Sequence, residues 1–221
     1  MGAAPSGENR PPIKSAGSPL AASIQESDTL LVDLRSPRAF ASGFIPGSFH
    51  LPDAGCLELL RTNGLLARRR IFFVADDLDD TARFHETLRG LDLEYGGGSG
   101  PDLIDDWRKR HGELGSLELL EADTLAVRIS AWKTLVVDTR SPAAFERIRI
   151  REALHIPPDN LAGSLAGLPA ETALCVVCEA GNRACFSASV VWNLGFRNVS
   201  FLKGGFAAYL ENRLPLARGP R

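Results

Sequence analysis

The sequence lacks the features that define several large classes of protein. No apolar run approaches the ~20 residues of a membrane-spanning helix, and the N-terminal segment has no apolar core of the kind found in secretory signals. The formal net charge is only −2, so nothing draws the chain as a whole to nucleic acid or to a membrane surface. Four irregularly spaced cysteines in 221 residues do not resemble a disulfide scaffold. We therefore expect a cytoplasmic protein with no nucleic-acid or membrane partner.

The chain repeats a pair of short motifs in a fixed register. The sequence D-L-R-S-P-R-A-F at residues 33–40 recurs as D-T-R-S-P-A-A-F at residues 138–145, which is 105 residues later. His50-Leu51-Pro52 recurs as His155-Ile156-Pro157 at the same offset of 105 residues. Two matches in one register indicate an internal duplication. We predict structural roles for both histidines, because each lies beside apolar residues ahead of a proline.

The duplication predicts the domain organisation and the fold class. Residues 1–18 are rich in Pro, Gly, Ser and Ala and are predicted to be disordered. Residues 19–112 and 113–216 form the two copies, and residues 217–221 form a tail. Short apolar runs alternate with helical patterns in each copy, which predicts an α/β fold with two mainly parallel central sheets flanked by helices. The glycine run at 96–100 precedes Pro101 and lacks the lysine of a phosphate loop, so a flexible connection is expected there.

The stretch L-C-V-V-C-E-A-G-N-R-A-C at residues 174–185 combines residues suited to anionic chemistry. An apolar strand leads to Cys178, a short polar loop follows, and a helix is expected to run to Asn193 with Gly195 beyond its end. Unpaired N–H groups at a helix N-terminus bind anions, and their partial positive charge lowers the pKa of a thiol. Arg183 adds a planar cation. We predict a nucleophilic Cys178 in a loop that binds an anion.

The other cysteines have simpler interpretations. Cys175 and Cys178 form a C-x-x-C pair, but side chains three apart on a strand face opposite sides, so a disulfide between them is not expected. Cys185 is interpreted as a core residue, with a resolving thiol as the alternative. Even Cys178, taken alone, would more often be a core residue, and only its combination with glycine and arginine favours chemistry.

Three arginines alternate with isoleucine in the second copy. In an extended segment Arg147, Arg149 and Arg151 would share one face. The first interpretation is a solvated edge. The alternative is that Arg149 and Arg151 form a substrate rim that attracts anions toward Cys178.

The second copy resembles the rhodanese (sulfurtransferase) module over residues 115–216. The resemblance rests on D-T-R-S-P-A-A-F, A-L-H-I-P, C-V-V-C-E-A-G-N-R-A and N-L-G-F-R-N-V-S-F-L-K-G-G-F-A-A-Y, in that order. The first copy is similar through D-L-R-S-P-R-A-F and S-G-F-I-P-G-S-F-H-L-P, so the chain resembles a tandem rhodanese. Two residues depart from the family pattern in the second copy: Arg149 stands where a histidine is usual and Glu152 where a glycine is usual.

The first copy departs from the family pattern at the loop itself. Aligning residues 71–74 with 174–177 places Ala75 opposite Cys178 and Asp80 opposite Arg183. Aspartates at a helix N-terminus interact with its dipole themselves and repel an anion; they are Asp76, Asp77, Asp79 and Asp80. Neighbouring carboxylates on one loop rarely close a coordination shell, so no metal is predicted. We expect a catalytically inactive first copy that stabilises or positions the second rather than binding substrate.

The resemblance implies a sulfurtransferase that needs neither a metal nor an organic cofactor. Cys178 would take the sulfane sulfur of thiosulfate or a similar small anionic donor as a persulfide, bound by Glu179, Ala180, Gly181, Asn182 and Arg183. Cyanide, a thiol or a protein thiol would accept that sulfur. One alternative is a persulfide carrier or interaction module of a sulfide-oxidising system. The other is a cysteine-dependent phosphatase, whose loop is one residue longer in that related family.

Overall fold

The first of two parallel sheets lies in the N-terminal half of the chain. A computed structural model describes residues 29–66 and 70–219, and the segment predicted to be disordered, residues 1–18, lies outside these ranges. The strands of this sheet are β1 (Thr29–Asp33), β2 (Phe49–His50), β3 (Arg70–Val74) and β4 (Glu94–Ser99). They pair in the order β2-β1-β3-β4, and every pairing is parallel. Every residue of the central strand β1 is buried.

The second parallel sheet has five strands, and a short antiparallel pair lies beside it. In chain order the strands are β5 (Glu118–Leu120), β6 (Leu135–Asp138), β7 (Arg149–Ile150), β8 (Leu154–His155), β9 (Leu174–Val177), β10 (Val199–Leu202) and β11 (Leu216–Ala217). The sheet order is β5-β10-β9-β6-β8, and β11 pairs with β7 in the antiparallel direction. Strand β11 includes Ala217, the first residue of the predicted tail. The central strand β9 is buried throughout and leads directly to Cys178.

Helices connect the strands and cover the sheets. They are α1 (Pro37–Ser42), α2 (Gly55–Thr62), α3 (His85–Gly90), α4 (Asp102–His111), α5 (Ala122–Ser130), α6 (Pro142–Arg147), α7 (Leu161–Leu165), α8 (Asn182–Asn193) and α9 (Gly205–Glu211). Two 3-10 helices span Leu78–Phe84 and Pro158–Asn160. Within residues 29–66 and 70–219, none of the helices has the length and apolarity required to cross a bilayer. Parallel sheets flanked by helices confirm the predicted fold class.

The repeated D-x-R motif makes the same buried contacts in both halves. Arg35 Nη2 lies 2.6 Å from Asp33 Oδ2, and Arg140 Nη2 lies 2.8 Å from Asp138 Oδ2. In each half the backbone N–H of the arginine also donates to the aspartate, at 3.0 Å. Each Nη2 donates as well to the carbonyl eight residues beyond its arginine. Because both charges are paired and hydrogen-bonded, the motif can be buried at the end of its strand.

The repeated histidines connect each of these arginines to the neighbouring strand. His50 Nε2 is 3.0 Å from the carbonyl oxygen of Arg35, and His155 Nε2 is 2.8 Å from that of Arg140. The two contacts are equivalent at an offset of 105 residues. These contacts support the structural roles predicted for the two histidines.

Helix α8 packs against the first half as well as the second. The rings of Phe44 and Trp192 meet edge to face at 5.0 Å. Asn193 Nδ2 donates to the carbonyl of Ser48 at 2.9 Å. One apolar cluster includes buried residues of both halves, among them Phe44 and Phe186. The two sheets therefore share part of one core, and the helix that follows Cys178 lies between them.

The glycine run is part of a strand rather than the predicted flexible connection. Residues 96–99 belong to β4, where Gly97 pairs with Phe72 and Ser99 with Val74. A Cβ atom on Gly97 would lie 2.8 Å from the Phe72 ring. The glycines therefore make room for side chains of the neighbouring strand, and the prediction of a flexible connection is wrong for these residues.

Candidate functional site

Cys178 lies between a buried strand and a helix N-terminus. It follows β9, and α8 begins four residues later at Asn182. The N–H groups of Gly181 and Ala184 donate to Cys178 Sγ at 3.1 and 3.2 Å. Gly181 adopts φ +93°, a left-handed conformation that favours glycine. The predicted strand, loop and helix are confirmed, including the helix end at Asn193.

The start of α9 explains why the loop N–H groups point toward the sulfur. The carbonyls of Cys178 and Glu179 accept hydrogen bonds from the N–H groups of Phe206, at 2.8 Å, and Ala207, at 3.1 Å. The peptide units are thereby oriented with their carbonyls toward α9. A Cβ atom on Gly205 would lie only 2.5 Å from the Cys178 carbonyl oxygen. The loop conformation therefore depends on a glycine that the sequence analysis did not single out.

Burial has a larger effect on the Cys178 thiol than its hydrogen bonds. Only 7% of the residue is exposed. Burial raises the pKa of the Cys178 thiol, while backbone N–H groups, Gly181 and Ala184 first among them, act to lower it. The net direction is upward. The loop N–H groups therefore act in the predicted direction, but removal from water outweighs them, and the expectation of a lowered pKa for this thiol is wrong in its net direction.

A cavity of about 570 Å3 lies above Cys178. Four of the five predicted loop residues line it, namely Glu179, Ala180, Asn182 and Arg183, and the fifth, Gly181, contacts the sulfur directly. The first half also contributes, through Pro52, Asp53 and Leu59. The first half therefore forms part of the cavity wall, and the expectation that it positions the second half rather than binding substrate stays a prediction.

Arg183 lines the cavity but already has an anionic partner. Its Nε donates to Asp53 Oδ2 at 3.0 Å, across the boundary between the two halves. The Arg183 side chain is 64% exposed and that of Asp53 is 41% exposed. The predicted cation is thus present, with a carboxylate from the first half bound to it. The pairing of Asp53 with Arg183 has no local signal in the sequence, because the two residues are 130 positions apart and Asp53 belongs to no catalytic motif.

A second arginine reaches the same cavity from the D-x-R motif. Arg140 is buried by its pairing with Asp138, yet it lines the cavity. Its Nη1 lies 3.8 Å from Glu179 Oε2, and its guanidinium carbon lies 3.5 Å from the centre of the Phe206 ring. A cation stacked on an aromatic ring keeps its position. Arg140 therefore places a fixed positive charge at the wall, a role that its repeated motif did not indicate.

The predicted arginine rim is not found at the cavity. Neither Arg149 nor Arg151 lines it. Arg149 is 5% exposed in β7, where β11 covers it, and its Nη1 donates to the carbonyl of Gly219. The solvated-edge interpretation is also wrong for Arg149, because the antiparallel pairing of β7 with β11 buries this residue.

The four cysteines are free thiols with different surroundings. Cys175 packs in one apolar cluster and Cys178 in another, as expected for side chains on opposite sides of β9. Cys185 is fully buried, with its Sγ 3.9 Å from the carbonyl oxygen of Pro37. Burial raises the pKa of Cys185 well above the ordinary thiol value. These contacts agree with core roles for both residues.

The matching position in the first half has a different local structure. Ala75 follows β3, and its N–H donates to the carbonyl of Ser99 at 3.1 Å. The next element is the 3-10 helix Leu78–Phe84, not the α-helix that the alignment predicted. Asp77 Oδ1 accepts the N–H of Asp79 at 2.9 Å, and the four aspartates of the loop are exposed. Acidic side chains therefore replace the inward-facing N–H groups of the second half.

Comparison with known proteins agrees with this geometry. A family model described as Rhodanese-like domain matches residues 121–212. A sulfurtransferase from Allochromatium vinosum is 24% identical over 98 residues, which is 44% of this chain and 92% of its own length. Thiosulfate sulfurtransferase GlpE from Pseudomonas syringae is 32% identical over 72 residues, 33% of this chain and 68% of its own length. A crystal structure of thiosulfate sulfurtransferase from Pseudomonas aeruginosa aligns with 90% of this chain and 39% of its own, at 23% identity and a TM-score of 0.42. The chain belongs to the rhodanese family.

Proposed function

We propose that the protein is a sulfurtransferase with one working site, at Cys178. The observation that carries the proposal is a cysteine sulfur that accepts two backbone N–H groups in a cavity lined by two arginines. Such donors stabilise negative charge on sulfur, whether it is a thiolate, a persulfide or the transition state between them. Relatives named sulfurtransferase and thiosulfate sulfurtransferase support the same reaction class.

The proposed reaction has two displacement steps on sulfur. The Cys178 thiolate attacks the outer sulfur of thiosulfate, a sulfur–sulfur bond breaks, and sulfite leaves with the electron pair. The resulting persulfide on Cys178 is then attacked at its outer sulfur by cyanide or a thiol. That step forms thiocyanate or a new persulfide and returns the Cys178 thiolate. No oxidant or reductant is consumed in either step.

Different residues around the cavity would bind different parts of the donor. The N–H groups of the loop 179–183 face the sulfur atoms, and Arg183 binds the sulfonate end. Arg140 also lines the cavity and would add positive charge there, and its contact with the Phe206 ring holds it in place. Ser187 also lines this cavity, and its buried Oγ has no hydrogen-bond partner among the described residues.

We further propose that residues 19–112 form a second, inactive rhodanese-like unit, so that the chain is a tandem. The support is the parallel sheet of the first half and its repeated contacts: the pair Asp33–Arg35 and the contact of His50 with the Arg35 carbonyl. Ala75 occupies the position that corresponds to Cys178, and an alanine side chain cannot attack sulfur. The first half would therefore contribute walls to the cavity but no nucleophile.

Intact-protein mass spectrometry after incubation with thiosulfate tests the proposal. The wild-type chain should gain the mass of one sulfur atom and release it to cyanide with steady-state turnover. Cys178→Ser should gain none, whereas Cys175→Ala, the matched control three residues away in β9, should retain transfer. Stoichiometric loading without turnover would instead favour a persulfide carrier. Cys178-dependent release of phosphate from aryl phosphates, without sulfur transfer, would replace the proposal with a phosphatase.

A further inference from the structure

We propose that Asp53, from the first half, determines which donors the Cys178 site accepts. Its carboxylate accepts a hydrogen bond from Arg183 Nε, so an anionic donor must compete with Asp53 for the charge of this arginine. This inference rests on the proposed function of the site and names a residue outside the loop that sets its charge selectivity.

The carboxylate of Asp53 is held on both sides. Oδ2 accepts from Arg183 Nε at 3.0 Å, and Oδ1 lies 3.8 Å from Cys56 Sγ. The N–H of Cys56 also donates to the Asp53 carbonyl at 3.2 Å, at the start of α2. Cys56 is fully buried, and burial raises its pKa to about 12, so it remains a thiol that can donate to the carboxylate. The Asp53 side chain is therefore oriented toward Arg183 by its own half of the molecule.

The pair is positioned to open when a ligand binds. Both side chains line the cavity above Cys178, and both are partly exposed to water. Ion pairs in such surroundings are weak, because water and salt screen them. A sulfonate can therefore exchange with the carboxylate on Arg183. After the exchange, Asp53 stays at the cavity wall and repels a donor in proportion to the donor's negative charge.

The aspartate at position 53 is not part of the sequence repeated between the two halves. The corresponding position in the second half, 105 residues later, holds Pro158, which lines the same cavity. The two halves thus present a carboxylate and a proline ring at equivalent positions on the cavity wall. The second half thus has an uncharged residue at this position, so the repeat itself does not require a carboxylate there.

Charge selectivity can be measured on Cys178 without any sulfur transfer. Iodoacetate and iodoacetamide alkylate the same thiolate with the same leaving group and differ by one negative charge. Asp53→Asn should raise the iodoacetate-to-iodoacetamide rate ratio at Cys178 by about tenfold, the effect of roughly one charge a few ångströms away in a solvated cleft. Asp105→Asn removes the same charge from an exposed position on α4 and should leave the ratio unchanged.

Variants made in the Arg183→Gln background distinguish two effects of Asp53: its competition with an anion for Arg183, and its direct repulsion of that anion. Without Arg183, Asp53→Asn should increase the ratio several-fold less than it does in the wild-type background, because no cation is released. An unchanged ratio in Asp53→Asn, or an equal gain in both backgrounds, would overturn the inference. Asp53→Ser should match Asp53→Asn, and thermal melting of each variant checks that it is folded.

Thiosulfate kinetics then connect the inference to turnover. Asp53→Asn should lower KM for thiosulfate about tenfold and lower KM for a singly charged organic thiosulfonate by less. If thiosulfate does not react with the wild-type chain but the alkylation ratios shift as expected, the proposed function fails while the role of Asp53 is retained. If thiosulfate reacts and the ratios do not shift, Asp53 has no such role.

Discussion

The two halves of the molecule share a framework and diverge at one loop. Each half places an Asp–Arg pair at the end of a parallel strand and a histidine against the arginine carbonyl. At the end of the strand paired with this one, the second half has Cys178 with two N–H donors, and the first half has Ala75 followed by a 3-10 helix. The strand places Cys178 and Ala75 at equivalent positions, so the two halves differ in the identity of this residue and in the backbone that follows it.

The backbone contacts behind the loop in the second half require a glycine that the first half lacks. In the second half Gly205, at φ +64°, allows the N–H groups of Phe206 and Ala207 to reach the loop carbonyls. Position 102 matches Gly205 at the offset of 103 residues that aligns the two loops, and it holds an aspartate. Ala75 instead continues the ladder of the sheet by donating to Ser99. The first half therefore lacks the support of the loop as well as the cysteine.

Gly205→Ala should have the largest effect and would make the second half resemble the first. The new Cβ would lie 2.5 Å from the Cys178 carbonyl oxygen and 2.6 Å from that of Glu179, so the loop must move. We expect persulfide formation to slow by about a hundredfold or more, the cost of losing an oriented backbone donor. The rate of sulfur loading from thiosulfate measures this loss. Gly167→Ala is the control, because its Cβ would meet no atom within 4 Å; equal effects of the two substitutions would contradict the proposed role of Gly205.

Local sequence patterns predicted the framework well. The strand before Cys178, the loop and the helix to Asn193 follow from apolar periodicity, a glycine and a helix stop, all of which act within a few residues. The repeat at an offset of 105 residues predicted a duplication and structural roles for His50 and His155, and the two halves do make equivalent contacts at these motifs. These features are encoded close to the residues that show them.

The features that the sequence did not predict all depend on distant parts of the chain. Asp53 meets Arg183 only because the two halves pack together, and Arg149 is buried only because β11 pairs with β7. The direction of the Cys178 pKa shift depends on burial, which no spacing rule measures. Composition alone predicts a flexible connection at the glycine run. The Phe72 ring on the neighbouring strand explains why Gly97 lacks a side chain, and no local pattern indicates that ring.

The rate of Cys178 alkylation should depend on pH, with a smaller change than the one expected for Gly205→Ala. Cys56, in the first half, is the thiol for comparison. Burial raises the pKa of both thiols, but backbone donors oppose the rise at Cys178, whereas the Asp53 carboxylate reinforces it at Cys56. Because the thiolate is the nucleophile, alkylation of Cys178 by iodoacetamide should increase about tenfold per pH unit from neutral pH upward. The midpoint should lie above the ordinary thiol value. Cys178 should be labelled faster than Cys56, and peptide mapping across a range of pH measures both rates. Faster labelling of Cys56, or a Cys178 midpoint below the ordinary thiol value, would contradict the prediction.

Ala75→Cys should have the smallest effect, and it tests whether a cysteine alone makes a rhodanese site. Ala75 is buried, its N–H is already bonded to Ser99, and the loop after it has four aspartates instead of inward-facing donors. A thiol at this position would lose hydration without gaining donors, so its pKa should rise and its thiolate would face negative charge. We therefore expect one sulfur per chain after thiosulfate treatment, as in the wild type. Combining Ala75→Cys with Cys178→Ser isolates the new thiol and should give none. If the double variant loads one sulfur at a normal rate, the backbone behind the loop is not required, and the comparison between the two halves reduces to the identity of one side chain.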